Sequence, residues 1–441
     1  MADAPNTIEG LALVEAEIRQ PTNNKVVPVF SSENMFVSAD IVETALGFSQ
    51  WTINIQTSNR NFVDTLVRDA TKDGTPRIRL RIGYGSTGTI ANWLPWGEYL
   101  IRSDVSKIVG LGDGAGYMAT LVCADKLFEI HRVNRVQARK GRVSDIVRGI
   151  ADFHKLPSVI EQTKYEGVWI QSYISDYEFV LNRMLPRAIN DKGRGNYKFF
   201  LKDGTLHFHT MDYQADVKQF NYFASSGVSL RHVDATQDRV DAGSGGVRMI
   251  LHDPYSGIRQ DVSSNPSLAL KLANTLPDIA GVKGIQKNIH YHVGANRVAE
   301  VSAIGQSTYE RTRAGNYRVE LSLAKSLFFR AGDLVNLVVS PSTSQTTPTS
   351  GMYYVPTCAY HIDKTSLFAT VILERGEYYV NQSSHAQLVQ QGENVVSAPN
   401  SADGQSLNIS DTASSATTKG AGKQTSRRLF LDALNPNEAP S

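Results

Sequence analysis

Four of the ten histidines stand in two pairs, His207 with His209 and His290 with His292. A spacing of i, i+2 puts both imidazoles of a pair on one face of a strand, where they could supply two ligands to zinc or iron. Each pair needs further ligands that no local sequence provides, so polar strand faces are the favoured reading and neither metal nor cofactor is expected. The run Gly110-Leu111-Gly112-Asp113-Gly114-Ala115 fits a loose dinucleotide pattern, in which glycines let the backbone approach a pyrophosphate at a helix N-terminus. Such a site needs a helix next, and Tyr117 to Cys123 reads as a strand, so a Gly-rich hairpin turn is expected instead. Carboxylates are plentiful but scattered, and none is marked out as half of an acid–base pair. No Gly-x-Ser-x-Gly elbow, His-Glu-x-x-His helix or phosphate-binding P-loop occurs. No catalytic residue is therefore assigned, and a non-enzymatic role is expected. Arg77, Arg79 and Arg81 form a basic row that could face an acidic partner or nucleic acid, with a solvated outer strand face as the favoured reading.

The elements that hold these residues must come from a chain of 441 residues, too long for one ordinary core and suited to two or three domains. Apolar types make up 41% and charged types 20%, which places the chain among globular proteins. A net charge of +2 gives no general attraction to nucleic acid or anionic lipid, so protein partners are expected and specific nucleic-acid binding is not. Cys123 and Cys358 lie far apart, which indicates neither a disulfide framework nor a four-ligand zinc site and fits assembly in a reducing cytosol. Met1 to Gly10 lacks the basic and apolar regions of a signal peptide. No run of about eighteen apolar residues occurs, so no membrane-spanning helix is expected.

The fold class expected is α+β, mainly β: two tube-like β-barrel or sandwich domains flanking an α/β segment, with a low-complexity C-terminal tail. The boundaries read as an N-terminal arm over 1–25, a first β-domain over 26–135, the α/β segment over 136–225, a second β-domain over 226–385 and a flexible tail over 386–441. In the first β-domain Ile78, Leu80, Ile82 and Tyr84 alternate with the arginine row, and Asn61 to Ala70 is the helical exception. In the α/β segment Ser144 can N-cap a helix whose face carries Ile146, Val147, Ile150 and Phe153. Ser175 with Glu178 makes a capping box for a second helix through Met184, which Pro186 ends or bends. Asp203-Gly204 joins Lys198–Lys202 to 205–210 as a tight hairpin. The second β-domain has strands near 317–323, 334–339, 353–361 and 368–374, with a helix near 298–311. Residues 397–426 have almost no large apolar side chains, and the cluster Arg427-Arg428-Leu429-Phe430-Leu431 beyond them could serve as a docking peptide.

The order of features from Arg142 to Thr210 resembles the central baseplate hub proteins of contractile-tailed phages, a family related to the hub part of type VI secretion spike proteins. The residues that carry the resemblance are the helix Val143 to His154, Gln171 followed by Ser175-Asp176-Tyr177-Glu178-Phe179, and the Phe199 to Phe208 hairpin. Phe329-Arg330-Ala331-Gly332-Asp333-Leu334-Val335, entering a strand at a Gly-Asp turn, adds a second match. Val180-Leu181 departs slightly from the family's spacing. What the resemblance implies is a structural hub, a homotrimer whose six similar domains ring a central channel and join the spike to the tail tube. Its implied partners are the spike protein, a tail tube or tube-initiator protein, baseplate wedge proteins and the tape measure protein, in a virion assembled in the bacterial cytoplasm. The rival reading is a tail-associated cell-wall hydrolase or glycan-binding protein.

Overall fold

The computed structural model describes residues 11–19, 26–31, 34–59, 61–62, 71–72, 75–85, 92–102, 106–111, 116–213, 216–222, 228–234, 248–252, 259–263, 291–292, 303–305, 307–308, 311, 317–324, 326–339, 350–364 and 366–375. The chain divides into two units, Met1–Gly392 and Glu393–Ser441, and every described residue belongs to the first. The tail over 386–441 with its apolar-basic cluster, residues 63–70 of the expected helix, and His290 therefore lie outside the described residues, as does the side chain of His292.

The architecture is mainly β, because alternating apolar and polar residues recur along most strands and each strand buries one row. Ile78, Leu80 and Ile82 point into the core from Thr75–Gly85, and Ile53 and Ile55 do so from Gln50–Thr57. Among the described residues one large sheet runs through Val228–Asp234, Tyr317–Ala324, Leu367–Arg375, Gly351–Asp363, Phe36–Thr44, Gln50–Thr57, Tyr117–Ala124, Gly97–Ile101, Thr75–Gly85, Leu11–Arg19 and Val26–Ser31. The two β-regions of the sequence meet where Gly351–Asp363 pairs antiparallel with Phe36–Thr44, Thr357 facing Thr44 and Asp363 facing Ser38. The N-terminal end of the same strand pairs instead with Leu334–Val338, which in turn runs parallel to Val217–Asn221. Register shifts between Tyr354 and Thr357, around Pro356, where a missing amide breaks a ladder. One contiguous core accordingly takes Ile53, Leu80 and Leu121 from one region and Val319, Tyr353 and Leu373 from the other.

Two features differ from the sequence reading at the N-terminal side. Residues 1–25, expected as an arm, include the strand Leu11–Arg19, which buries Val14, Ala16 and Ile18 and pairs with Thr75–Gly85. The strand Asn134–Arg142 was not expected either; it pairs only with Glu166–Ser175, as a two-stranded ribbon.

The α/β segment forms a second core of Ile146, Val147, Ile150, Phe179, Phe199 and Phe208. Its first helix, Val143–Phe153, has Arg142 and not Ser144 at the N-cap position, and no side chain caps it there. The chain leaves the ribbon strand straight into the helix, so Ser144 falls inside the first turn, buried. There its amide donates to Thr163 Oγ1 at 3.0 Å while its hydroxyl accepts the Thr163 amide at 3.2 Å. The capping box at Ser175 and Glu178 forms as expected. The helix it opens, Asp176–Phe179, widens to a π-turn over Val180–Met184 and closes as a 3-10 turn over Leu185–Arg187, where Pro186 stops it. The hairpin turn also forms, with Asp203 and Gly204 at φ of 50° and 76°. Helical turns occupy 303–305, 307–308 and 311, within the helix expected near 298–311.

Candidate functional site

The turn Arg330 to Asp333 lies where four elements converge. Gly332 takes a φ of 86°, a left-handed conformation natural to glycine. A Cβ at Gly332 would meet the ring of Phe200 at 2.4 Å. The Gly332 amide donates to the Val355 carbonyl at 2.8 Å, and the Val355 amide donates to the Asp333 carbonyl at 2.9 Å. The Arg330 side chain reaches across to Glu43 on strand Phe36–Thr44, its Nε donating to both carboxylate oxygens at 2.8 and 2.7 Å, while its Nη1 donates to Asp203 Oδ1 at 3.3 Å. Asp333, buried, accepts from Lys202 Nζ at 2.5 Å, Lys218 Nζ at 2.7 Å and the Arg330 amide at 2.7 Å. Tyr360 donates its hydroxyl to the Phe329 carbonyl. Arg330, Lys202 and Lys218 thus face Glu43, Asp203 and Asp333, so that both buried carboxylates, Glu43 and Asp333, have cations against them. Burial acts to lower the basicity of Arg330, but the Glu43 carboxylate outweighs it and raises the guanidinium pKa well above its ordinary value.

A second node ties the ribbon to the α/β core. Asp176, buried, accepts from His154 Nε2 at 2.9 Å and Gln171 Nε2 at 3.0 Å. Arg139 and Arg135 lie at 3.3 and 3.5 Å from the same carboxylate. Burial acts to raise its pKa, but the hydrogen bonds from His154 and Gln171 and the two arginine charges together hold it below the usual carboxylate range. Gln171, Ser175 and Asp176 carry the first resemblance, and Arg330 and Asp333 carry the second. In both places the residues named by sequence are ties between elements, each carboxylate committed to fixed cations.

Of the remaining candidates, the structure brings His207 and His209 together. His209 Nδ1 donates to the Thr210 carbonyl at 2.8 Å, which leaves a lone pair on Nε2 that accepts from His207 Nδ1 at 3.2 Å. Burial, then the His209 and Lys202 charges, push His207 down to about 4, and burial also lowers His209. Among the described residues no third side chain completes a metal site with them. The arginine row corrects both readings given to it. Arg79 pairs with Glu17, Arg81 with Glu15, and Arg77 with Glu129 at 2.9 Å, while Trp93 and Trp96 stack on Arg81. The missed strand Leu11–Arg19 supplies two of those glutamates, so the row is neutralised within the chain. Gly110 pairs with Tyr117 between antiparallel strands, as the strand reading of Tyr117 to Cys123 expects, while residues 112–115 of the Gly-rich run lie outside the described residues. Cys123 and Cys358 are buried and free, and burial pushes the Cys123 thiol up to about 12. No helix among the described residues is long and apolar enough to cross a membrane.

These features define a class: a mainly β protein whose two β-regions share a strand, with an α/β segment tied to that junction by ion pairs to Arg330 and buried Asp333. No protein-family model and no curated protein sequence matches the chain. Solved structures match it by fold. A 43 kDa tail protein of prophage MuSo2 from Shewanella oneidensis aligns over 83% of this chain and 98% of its own, with a TM-score of 0.51 and 9% identity. The tail protein from Neisseria meningitidis MC58 aligns with the same coverage, TM-score and identity. A chain of the Francisella PdpA–VgrG complex in its lidded form aligns over 85% of this chain and 54% of its own, with a TM-score of 0.52 and 10% identity. The resemblance read from the sequence is borne out at the level of the fold.

Proposed function

We propose that this chain is the structural hub of a phage tail baseplate, a homotrimer that rings a central channel and joins the spike to the tail tube. The observation that carries the reading is the fold likeness to phage tail proteins over 98% of their length, with both buried charge nodes at the residues where the resemblance lies. The expected domains, 26–135 and 226–385 about the segment 136–225, become two tube-like halves of each protomer. Three protomers then present six halves, a geometry that adapts a threefold spike to a sixfold tube. Closed rings of identical contacts are the usual outcome for homo-oligomers. The work is mechanical: the free energy of burying protein interfaces holds spike, tube and wedge proteins together, and the chain needs no catalytic residue for it. Multi-angle light scattering of the full chain is expected to give three times the protomer mass of 48.4 kDa, and negative-stain images a ring with a central hole. A monomer at every concentration, with and without its spike, overturns the reading.

A further inference from the structure

The ribbon Asn134–Arg142 with Glu166–Ser175 has two unlike faces. Gln171 and Trp169 are buried on the inner face, where the Trp169 indole donates to the Gly141 carbonyl at 3.0 Å. On the outer face Val136, Ile170 and Val168 are 77%, 65% and 63% exposed, with Ala138, Lys140 and Ser172 exposed between them. Tyr173, the extra residue at the register shift, has a φ of 53° and is 72% exposed beside them. Water-facing strand rows are ordinarily polar, so a row of valine and isoleucine turned outward marks a contact surface. Among the described residues each ribbon strand pairs only with the other, so no described strand occupies the outer edge of Asn134–Arg142, which has the backbone groups to accept one.

The size and charge of the surface narrow what covers it. Nine residues at about 3.3 Å each, on two strands about 4.8 Å apart, make a face of about 30 by 10 Å, roughly 300 Å². A stable interface between globular proteins covers about 800 Å² on each side. The face is thus too small to hold a second folded copy by itself, and it suits a segment that adds backbone hydrogen bonds. Four cations, Arg135, Arg139, Lys140 and Arg142, all lie on Asn134–Arg142, with exposed Arg132 just before it; Arg142 lies 3.5 Å from Glu166, and Arg135 and Arg139 share the single carboxylate of Asp176, so cations remain in excess along this edge.

We infer that the outer edge of Asn134–Arg142 receives an extended segment of another protein with alternating apolar and acidic side chains, by strand addition. The apolar row continues the Val136–Ile170 face, and the acidic row, on the other face, lies alongside Arg135 and Arg139, which alternate with Val136 and Ala138 along the strand. This stands on the ribbon alone and is independent of the hub reading.

The test uses the full chain and two fluorescein-labelled peptides, (Val-Glu)₄ and (Val-Lys)₄, with fluorescence anisotropy as readout. Saturable binding of the acidic peptide, at least tenfold tighter than the basic one, is expected. Val136→Glu with Ile170→Glu should weaken it at least tenfold while circular dichroism stays unchanged, and Arg135→Gln should narrow the preference between the peptides. Equal binding of the two peptides by the unmodified chain, or none, overturns the inference whatever the variants do. So does light scattering in which Val136→Glu with Ile170→Glu turns an oligomer into a monomer, because a second copy would then be what covers the face. A chain that is monomeric throughout yet binds the acidic peptide would refute the trimer and leave the ribbon inference standing.

Discussion

His207 and His209 show what a pair of residues two strand positions apart can and cannot disclose. Their spacing fixed that both rings share a face, but the tautomers depend on the Thr210 carbonyl and the polarity on burial against Phe200. The pair is held neutral, and that has a pH consequence. In the unfolded chain His207 takes up a proton near its ordinary value of 6.5, and in the folded chain only near 4. The unfolded state therefore binds more protons between those values, so stability is fully present above about 6.5 and is lost as pH falls toward 4. Asp125 opposes this over part of the same range, since burial raises its carboxyl to about 7 and the folded state gains protons first as pH falls. A substitution separates the two. Thermal unfolding midpoints measured between pH 7 and 4.5 are expected to fall less steeply in His207→Gln than in the unmodified protein; identical slopes would show that His207 carries no linkage.

Among the elements, those whose reasons are local were legible. The capping box at Ser175, the stop at Pro186 and the Asp203-Gly204 hairpin each follow from residues within a few positions of one another. Elements whose reasons are distant were not. Glu43 and Arg330 are 287 positions apart, and nothing near either announces the other. Ser144 was misread because its partner, Thr163, lies 19 residues on. The ribbon strand Asn134–Arg142 escaped notice because its outward side chains are the apolar ones, the reverse of the usual strand pattern. Docking of the hairpin on the turn at Gly332 is open to direct measurement. Alanine there takes a left-handed conformation at about 1–2 kcal/mol and overpacks the Phe200 ring at a further ~1–3 kcal/mol. Gly332→Ala is expected to destabilise the chain by about 2–5 kcal/mol in urea unfolding. In a cycle with Phe200→Leu, the double variant should lose clearly less than the sum of the two single losses. Strict additivity would show that turn and hairpin do not press on one another.

Across the whole molecule, the sequence reads as two β-regions with an α/β insert, and the fold ties the regions through one strand. Gly351–Asp363 pairs with Phe36–Thr44 along seven residue pairs and with Leu367–Arg375 on its other edge. Residues from both regions fill a single core, and the Glu43–Arg330 pair crosses the same boundary. Neither half can open without stripping a strand, a core face and a buried ion pair from the other, so the described strands of both halves should unfold as one cooperative unit. In the hub role proposed above, such coupling would keep the two halves in fixed register under load. Ile53 and Leu373 test it, since both are fully buried in that core on opposite sides of the shared strand. Ile53→Ala and Leu373→Ala each remove buried methyl groups at a cost of about 2–5 kcal/mol. Calorimetry is expected to show one endotherm that either substitution shifts to lower temperature. Two endotherms, with Ile53→Ala moving one and Leu373→Ala moving the other, would make the halves independent domains that merely touch.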